Sequence, residues 1–238
     1  MFDTVTVIGA GGRAGSAIAG RLRQRGITLR DHDADLVVLC VPDTGIPDVA
    51  ASIDPGPWIA HVSGATSLTA LDPHVRRFSV HPLQTLVRSL GPEQLDGAYA
   101  AVTGETDEAV ERGTWLSRTL GLRPFVLLDD ARTLYHAGAV IASNYLVTLY
   151  RTASRLFEHA GAPPEALVPL MRRTIENGFE LTGPIARGDW TTVDRHLDAI
   201  GESGPIDDLY RALGSATAEL SGRTPPSNSL LLASQSRQ

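Results

Sequence analysis

Along the first half of the chain, short runs of β-branched and other apolar residues alternate with stretches whose apolar positions recur at helical spacing. That alternation predicts a mostly parallel sheet flanked by helices. Residues 5–8 make the first predicted strand, residues 13–25 the first helix, and residues 36–41 a buried strand ending at Pro42-Asp43. Further strands are predicted over 58–62, 78–80, 98–102 and 125–128, with a helix over 107–120 ahead of the last. After Asp129 the strand pattern stops. Residues 134–159 read as one long helix closed by Gly161 and Pro163-Pro164, and residues 165–181 as a second. A Gly183-Pro184 turn then leads to shorter helices near 192–200 and 206–220. The expected architecture is an α/β domain over 1–129, an all-α domain over 130–222 and a Ser/Pro/Gln-rich flexible tail over 223–238.

The junction between the first strand and first helix carries Gly9-Ala10-Gly11-Gly12-Arg13-Ala14-Gly15. Glycines there let the chain turn tightly and let a diphosphate approach backbone amides at a helix N-terminus. Two registers fit: Gly9, Gly11 and Ala14 as G-x-G-x-x-A, or Gly9, Gly12 and Gly15 as G-x-x-G-x-x-G. The continuation departs from a full dinucleotide unit. Asp31, with Arg30 beside it, stands where an acid usually meets the adenosine ribose, yet only Asp31-His32-Asp33-Ala34-Asp35 separate a would-be second strand at 27–30 from the strand at 36–41. Parallel neighbours need a crossover of about a dozen residues, and five extended residues span only about 17 Å. The second strand is therefore expected to be short or absent, one crossover helix to be missing, and 36–41 to pair directly beside the first strand. The adenosine half of the pocket is then poorly built, and NAD(P) binding should be weakened or lost. Asp31, Asp33 and Asp35 read at least as well as a solvated acidic loop.

Charge and composition narrow the chemistry. The 238 residues carry a formal charge of −6, which gives no electrostatic reason to expect nucleic acid or an anionic membrane. All 21 basic residues are arginine. Without lysine there is no phosphate-loop lysine, no Schiff-base lysine and no lysine general acid, so proton chemistry falls to His, Asp, Glu, Tyr or the single Cys40. Cys40 lies in an apolar run and reads as a small core residue; with one cysteine and no basic-then-apolar leader, a cytoplasmic protein is expected. The eighteen residues between Arg132 and Arg151 lack Asp, Glu and Arg but include His136, Ser143, Asn144 and Thr148. They are too polar for a membrane span, and a helix buried in the protein or in a dimer interface is expected.

Polar residues cluster at predicted strand ends and on one helix face. His61-Val62-Ser63-Gly64 closes one strand and His81-Pro82-Leu83-Gln84-Thr85 another, and the carboxyl ends of parallel strands are where such sheets take ligands. His136, Val140, Ser143, Asn144 and Val147 share one face of the long helix. The turn at 183–189 offers Arg187 and Asp189, with His196 two turns into the next helix. A metal site made of His61, His81 and His136 is disfavoured because no pair has helical ligand spacing.

Together Ile8-Gly-Ala-Gly, Val41-Pro-Asp, His61-Val-Ser-Gly, His81-Pro-Leu-Gln-Thr, Tyr135-His-Ala-Gly-Ala-Val-Ile-Ala-Ser-Asn-Tyr-Leu and Leu181-Thr-Gly-Pro-Ile-Ala-Arg-Gly-Asp with His196-Leu resemble a bacterial family. That family joins a Rossmann-like domain to a helical domain formerly of unknown function, within the 6-phosphogluconate dehydrogenase-like superfamily. The match runs from residue 4 to about 220 in order. The resemblance implies a helical domain that dimerises, a nicotinamide site between domains and an NADP-linked reduction; some relatives resemble ketopantoate reductases of the PanG type. It sets Gly9, Ala10, Gly11, Gly12, Arg13, Ala14, Val41 and Pro42 against the cofactor and His61, His81, Gln84 and Asp189 against the substrate. A hydride from NADPH would reach a small 2-oxo acid over residues 11–13. His136 would be the general acid where the superfamily uses a lysine, Asn144 and Ser63 would position the carbonyl, and Arg187 would clamp the carboxylate. The rival expectation, resting on the missing crossover, is a non-catalytic dimer that has lost the dinucleotide and serves as a sensor or partner-binding protein.

Overall fold

Strand β1 (Thr4–Ile8) passes through the glycine turn into helix α1 (Arg13–Gln24), which buries Ala17, Ile18, Ala19 and Leu22 against the sheet. The structure, a computed structural model, describes residues 1–201, 204–226 and 230. The chain divides into two compact units, Met1–Tyr145 and Leu146–Gln238, and the division falls inside the long helix rather than at the end of the last strand.

In the first unit seven strands lie in the order β2-β1-β3-β4-β5-β6-β7. They are β1, β2 (Thr28–Leu29), β3 (Leu36–Leu39), β4 (Trp58–His61), β5 (Arg77–Leu83), β6 (Tyr99–Thr103) and β7 (Arg123–Val126). Helices α2 (Ile46–Ala51) and α3 (Asp107–Thr119) complete the α/β layer, and α4 (Arg132–His159) leaves it. The truncation read from the sequence is present. β2 is two residues long, no helix separates it from β3, and β3 pairs parallel to β1 on the side opposite β2. Six residues suffice for this link because it steps across a single strand at the level of Val5, which pairs with both Leu29 and Leu36. Asp35 closes the step. Its carboxylate accepts from Thr4 Oγ1 (2.8 Å), Thr4 N (3.0 Å) and Asp3 N (3.1 Å), while its own amide donates to Thr4 Oγ1 (2.9 Å). The Thr4 hydroxyl, ahead of the backbone donors, holds the Asp35 carboxyl below its ordinary pKa.

The sheet is not parallel throughout. β6 runs antiparallel to β5 and parallel to β7. The link from β5 to β6 contains only the 3₁₀ turn Pro92–Leu95, and an antiparallel neighbour needs no crossover helix. β7 begins two residues earlier than the pattern suggested, and the short α2 escapes periodicity because six residues hold fewer than two turns. α3 starts at Thr106, whose hydroxyl accepts from Ala109 N (3.2 Å), and Asp107 and Glu108 in its first turn complement the helix dipole. Its Gly113 lies against Val102 and Phe78, the close approach that seats the helix on the sheet.

The second unit contains α5 (Leu167–Glu176), α6 (Pro184–Arg187), α7 (Trp190–Ile200) and α8 (Pro205–Leu220). Val193, Leu197 and Leu230 form its buried core, with Ile185, Trp190 and Tyr210 packed around them. The helix expected over 165–181 is shorter. It opens as the 3₁₀ turn Pro164–Ala166 and stops at Glu176, where Gly178 and Phe179 both take positive φ. Of the tail expected over 223–238, residues 227–229 and 231–238 lie outside the described residues, whereas Leu230 is buried.

α4 corrects an expectation. A helix buried within the protein was one reading of its apolar stretch, yet Arg132 is its only buried residue, and Leu134 and Ile141 are 80% and 62% exposed. Among the described residues no helix is long and apolar enough to cross a membrane.

Candidate functional site

The register of the parallel strands aligns Ile8, Leu39, His61 and Ser79 in one row across the sheet. The segments leaving these strands therefore emerge along one edge: the glycine turn after β1, Cys40-Val41-Pro42 after β3, Ser63-Gly64 after β4, and His81 towards the end of β5.

The glycine turn has a definite geometry. Gly9 has φ +89°, and a Cβ on it would strike the Cys40 carbonyl. A Cβ on Gly15 would strike the Gly9 carbonyl, which already accepts from Gly12 N (2.9 Å). The required register is thus Gly9, Gly12, Gly15. Gly11 is unconstrained, since a Cβ there would meet only Arg88 Nη2 at 3.8 Å. Gly12 caps α1 with no side-chain hydrogen bond, and no acid occupies the first turn, so its leading amides are left for an anion. Gly15→Ala is expected to destabilise the protein by at least about 1–3 kcal/mol, because the obstructing atoms are backbone. Gly11→Ala should be nearly neutral, and chemical denaturation of the two variants checks the difference.

Gly9, Ala10, Gly11, Gly12 and Arg13 are exposed along this turn, Ala14 and Val41 are half-buried, and Pro42 is exposed beside it. Arg88 donates to the Gly11 carbonyl from the loop after β5. That loop is itself tied down by Gln94, whose Oε1 accepts from Val87 N (2.9 Å) and whose Nε2 lies 2.9–3.2 Å from the carbonyls of Val87, Leu90 and Gly91. The turn fits a dinucleotide's diphosphate. The adenosine side is reduced: Asp35 is committed to Thr4, leaving exposed Arg30 and Asp31 beside a two-residue strand. Cys40 is inert, with burial pushing its thiol up to about 12.

A second cluster surrounds the start of α4. Arg132 is 1% exposed and donates through Nη1 to Thr103 Oγ1 (2.8 Å) and through Nη2 to the Ser63 carbonyl. Its nearest carboxylate, Asp129, is 3.9 Å away, accepts from the Ser67 hydroxyl and accepts from Leu68 N (3.0 Å). Burial holds the guanidinium below its ordinary pKa, against the pull of Asp129. His61 is fully buried, and neither ring nitrogen has a hydrogen-bond partner among the described residues. Burial first, and Arg132 next, press its pKa down to about 3; Asp129 and the Ser67 backbone pull weakly the other way. His81 is half-buried, with its Nδ1 2.8 Å from the Tyr135 hydroxyl. Burial, then His136 and Arg132, lower it to about 4. The His81 and His136 rings meet edge to face at 6.0 Å, and Gly64 fits against both.

Several expected site residues have other duties. Ser63, expected to position a carbonyl, is buried; its hydroxyl donates to Asp43 Oδ2 (2.8 Å), contacts Thr66 Oγ1 (2.8 Å) and accepts from Thr66 N (3.0 Å), closing the turn after β4. His61, expected to touch substrate, has no exposed surface to do so. Gln84 is exposed and its amide turns back to Thr85 N (2.9 Å) and the Gln94 carbonyl (3.2 Å). Asp189 caps α7, accepting from Thr192 N (3.1 Å) and Thr192 Oγ1 (2.8 Å), and these bonds hold its carboxyl low. Arg187 is exposed in the last turn of α6, in the second unit. His196 bonds Tyr210 through Nδ1 (2.7 Å). Asn144 stands eight residues beyond His136 on α4, about 12 Å along the axis, with its Oδ1 3.0 Å from the Ser143 hydroxyl. Of the expected residues, the structure brings His81 and His136 together. It adds Tyr135, Arg132 and Gly64, whose only signal was the motifs that contain or adjoin them. Among the described residues no three His, Cys, Asp or Glu side chains are placed to hold a metal ion.

A family profile described as a domain of unknown function (DUF2520) matches residues 98–217. No curated protein matches. Among solved structures, BF3122 from Bacteroides fragilis, described as a proposed NADP oxidoreductase, is similar with a TM-score of 0.76 at 18% identity, over 91% of this chain and 98% of that one. Protein TM1727 from Thermotoga maritima gives 0.73 at 22% identity, over 92% and 100%. A reductive aminase from Aspergillus terreus, in complex with NADPH and ethyl levulinate, gives 0.57 at 14% identity, over 94% and 89%. These likenesses establish the fold: a Rossmann-like α/β unit followed by a helical one.

Proposed function

The chain belongs to the family of the domain of unknown function DUF2520, and from that premise we propose that it is a nicotinamide-linked reductase of a small carbonyl compound. The observation that carries the reading is the glycine turn: Gly9 and Gly15 interlock so that α1 presents its uncapped leading amides where a diphosphate sits in a Rossmann-like fold. The reduced nicotinamide, when bound, supplies a hydride to the carbonyl carbon. This chain supplies the proton that completes the alcohol, and His136 is the residue to which we assign it. Lysine is absent, and His136 is half-buried on the first turns of α4 next to His81. A small 2-oxo acid, with ketopantoate as one instance, is the substrate class proposed, and Arg187 is the guanidinium proposed for its carboxylate. We also propose that the exposed apolar residues of α4, such as Leu134 and Ile141, meet a second copy of the chain.

Titrating the protein with NADPH and with NADH, followed by tryptophan fluorescence and thermal unfolding, tests the reading. A saturable response to at least one nucleotide is expected, with affinity reduced by the poor adenosine side. No response to either overturns it. One observation favours a second reading: the two-residue β2 and the helix-free link to β3 remove most of the usual adenosine shelf. A relative that takes only a small anion at the glycine turn, without turnover, would respond to inorganic phosphate and to neither nucleotide.

A further inference from the structure

Tyr135 and His81 form a polar pair that neither the packing of the sheet nor the glycine turn requires. The Tyr135 hydroxyl lies 2.8 Å from His81 Nδ1, and the rings meet edge to face at 5.6 Å. A neutral imidazole carries one donor and one acceptor nitrogen. A phenol is the better donor of the two groups and an imidazole nitrogen the better acceptor, so the hydroxyl donates to Nδ1 and the ring proton resides on Nε2. That nitrogen makes no hydrogen bond to another described residue and faces Gly64, where a Cβ would stand 2.8 Å from it and 2.5 Å from His136 Cδ2. Glycine at this position lets the turn pack closely on both rings, and Nε2, although without a described partner, is not among the atoms sealed from solvent.

We propose that Tyr135 fixes His81 as the Nε2–H tautomer and that His81, uncharged, donates through Nε2 to the oxygen of the carbonyl substrate. This rests on the reductase reading. His81 is then a catalytic residue and Tyr135 a positioning residue. The bond strengthens as negative charge gathers on the oxygen during hydride arrival, and a fixed donor needs no reorganisation at that moment. His81 keeps its proton throughout; the proton gained by the product comes from His136. The groups facing His81 are Tyr135, His136 and Arg132 on α4, Asp43 from the turn after β3, and the neutral His61 at the end of β4. Burial, His136 and Arg132 keep the ring neutral at physiological pH, and the Asp43 carboxylate is too weak an opponent to protonate it.

The test is long-range ¹⁵N–¹H spectroscopy on the full chain labelled at histidine, from pH 5 to 8, in the wild type and in Tyr135→Phe. The expected result is a single Nε2–H tautomer for His81 in the wild type and a tautomer mixture in the variant. An Nδ1–H tautomer in the wild type, or an unchanged spectrum in Tyr135→Phe, overturns the proposal. Turnover is then read with NADPH and a panel of 2-oxo acids beginning with pyruvate. His81→Ala should lower kcat by about 10²–10³-fold, the usual loss for one such donor, with KM moved less. Tyr135→Phe should lower kcat by about tenfold, the factor to which 1.4 kcal/mol of lost tautomer preference corresponds. Wild-type turnover that both variants leave intact overturns the proposal. Failure of the wild type to bind NADPH strikes the reductase reading instead, and the spectra still decide the tautomer.

Discussion

Replacing Arg132 by alanine is expected to destabilise the first unit by about 3–5 kcal/mol, the sum of a side-chain-sized cavity and two buried acceptors left short of a donor. The acceptors are the Ser63 carbonyl, just after β4, and Thr103 Oγ1, at the end of β6, which this guanidinium bridges. The measurement is the denaturant midpoint at constant slope. Arg132→Met discriminates between packing and charge. Asp129 is 3.9 Å away and is served by Ser67 and Leu68, so the buried charge is poorly compensated and its desolvation is costly. The methionine variant should therefore recover most of the loss. It should also let the His81 pKa rise from about 4, though only part of the way to the ordinary value, since burial and His136 remain. A methionine variant as unstable as the alanine one would show that the hydrogen bonds, not the filled volume, hold this corner together.

Acidification should begin to destabilise the protein above the pH at which ordinary carboxylates titrate. His61 and His81 bind protons near pH 3 and 4 when folded, but near 6.5 when unfolded. In both cases burial is the main cause, followed by Arg132 for His61 and by His136 and then Arg132 for His81. Between these values the unfolded chain holds more protons, so stability rises with pH across that window and falls as pH drops through it. Above pH 6.5 neither ring is charged in either state and the effect vanishes. With each group worth up to about 1.4 kcal/mol per pH unit, the loss between pH 6.5 and 4 is several kcal/mol, a large share of the about 5–15 kcal/mol that holds a domain folded. Thermal unfolding measured from pH 4 to 7 checks the slope. His61→Gln should flatten it by about one proton's worth; an equal slope in the variant would mean that His61 is charged in the folded protein.

The features legible in the sequence are those that local rules decide. The truncation was legible because five residues cannot make a crossover, and β3 lies where that arithmetic required. The long α4 was legible from its period. The direction of β6 was not, because residues 99–103 have the same alternation whichever way they run. Asp189 had a readable signal that the functional expectation passed over: an acid directly before a helical run and three residues ahead of its first-turn donor is an N-cap. Ser63 misled for the related reason that a serine at a strand end serves a turn as readily as a ligand. Arg132 had no local signal of burial beyond its place just ahead of the motif that opens at Tyr135. It opens a helix like any surface arginine, and its burial depends on partners 29 and 69 residues away in the chain. The Tyr135 and His81 pair likewise spans 54 residues.

The loop between β5 and β6 bears on the thermodynamics of ligand capture. Gln94 gathers the backbone of residues 87–91 around one side-chain amide, and this loop sets Arg88 across the Gly11 carbonyl. A segment already confined has little conformational freedom left to surrender, so an anion arriving at the glycine turn would displace one hydrogen bond instead of ordering a loop. Its association should accordingly show a small heat-capacity change, with none of the large negative value that accompanies folding on binding.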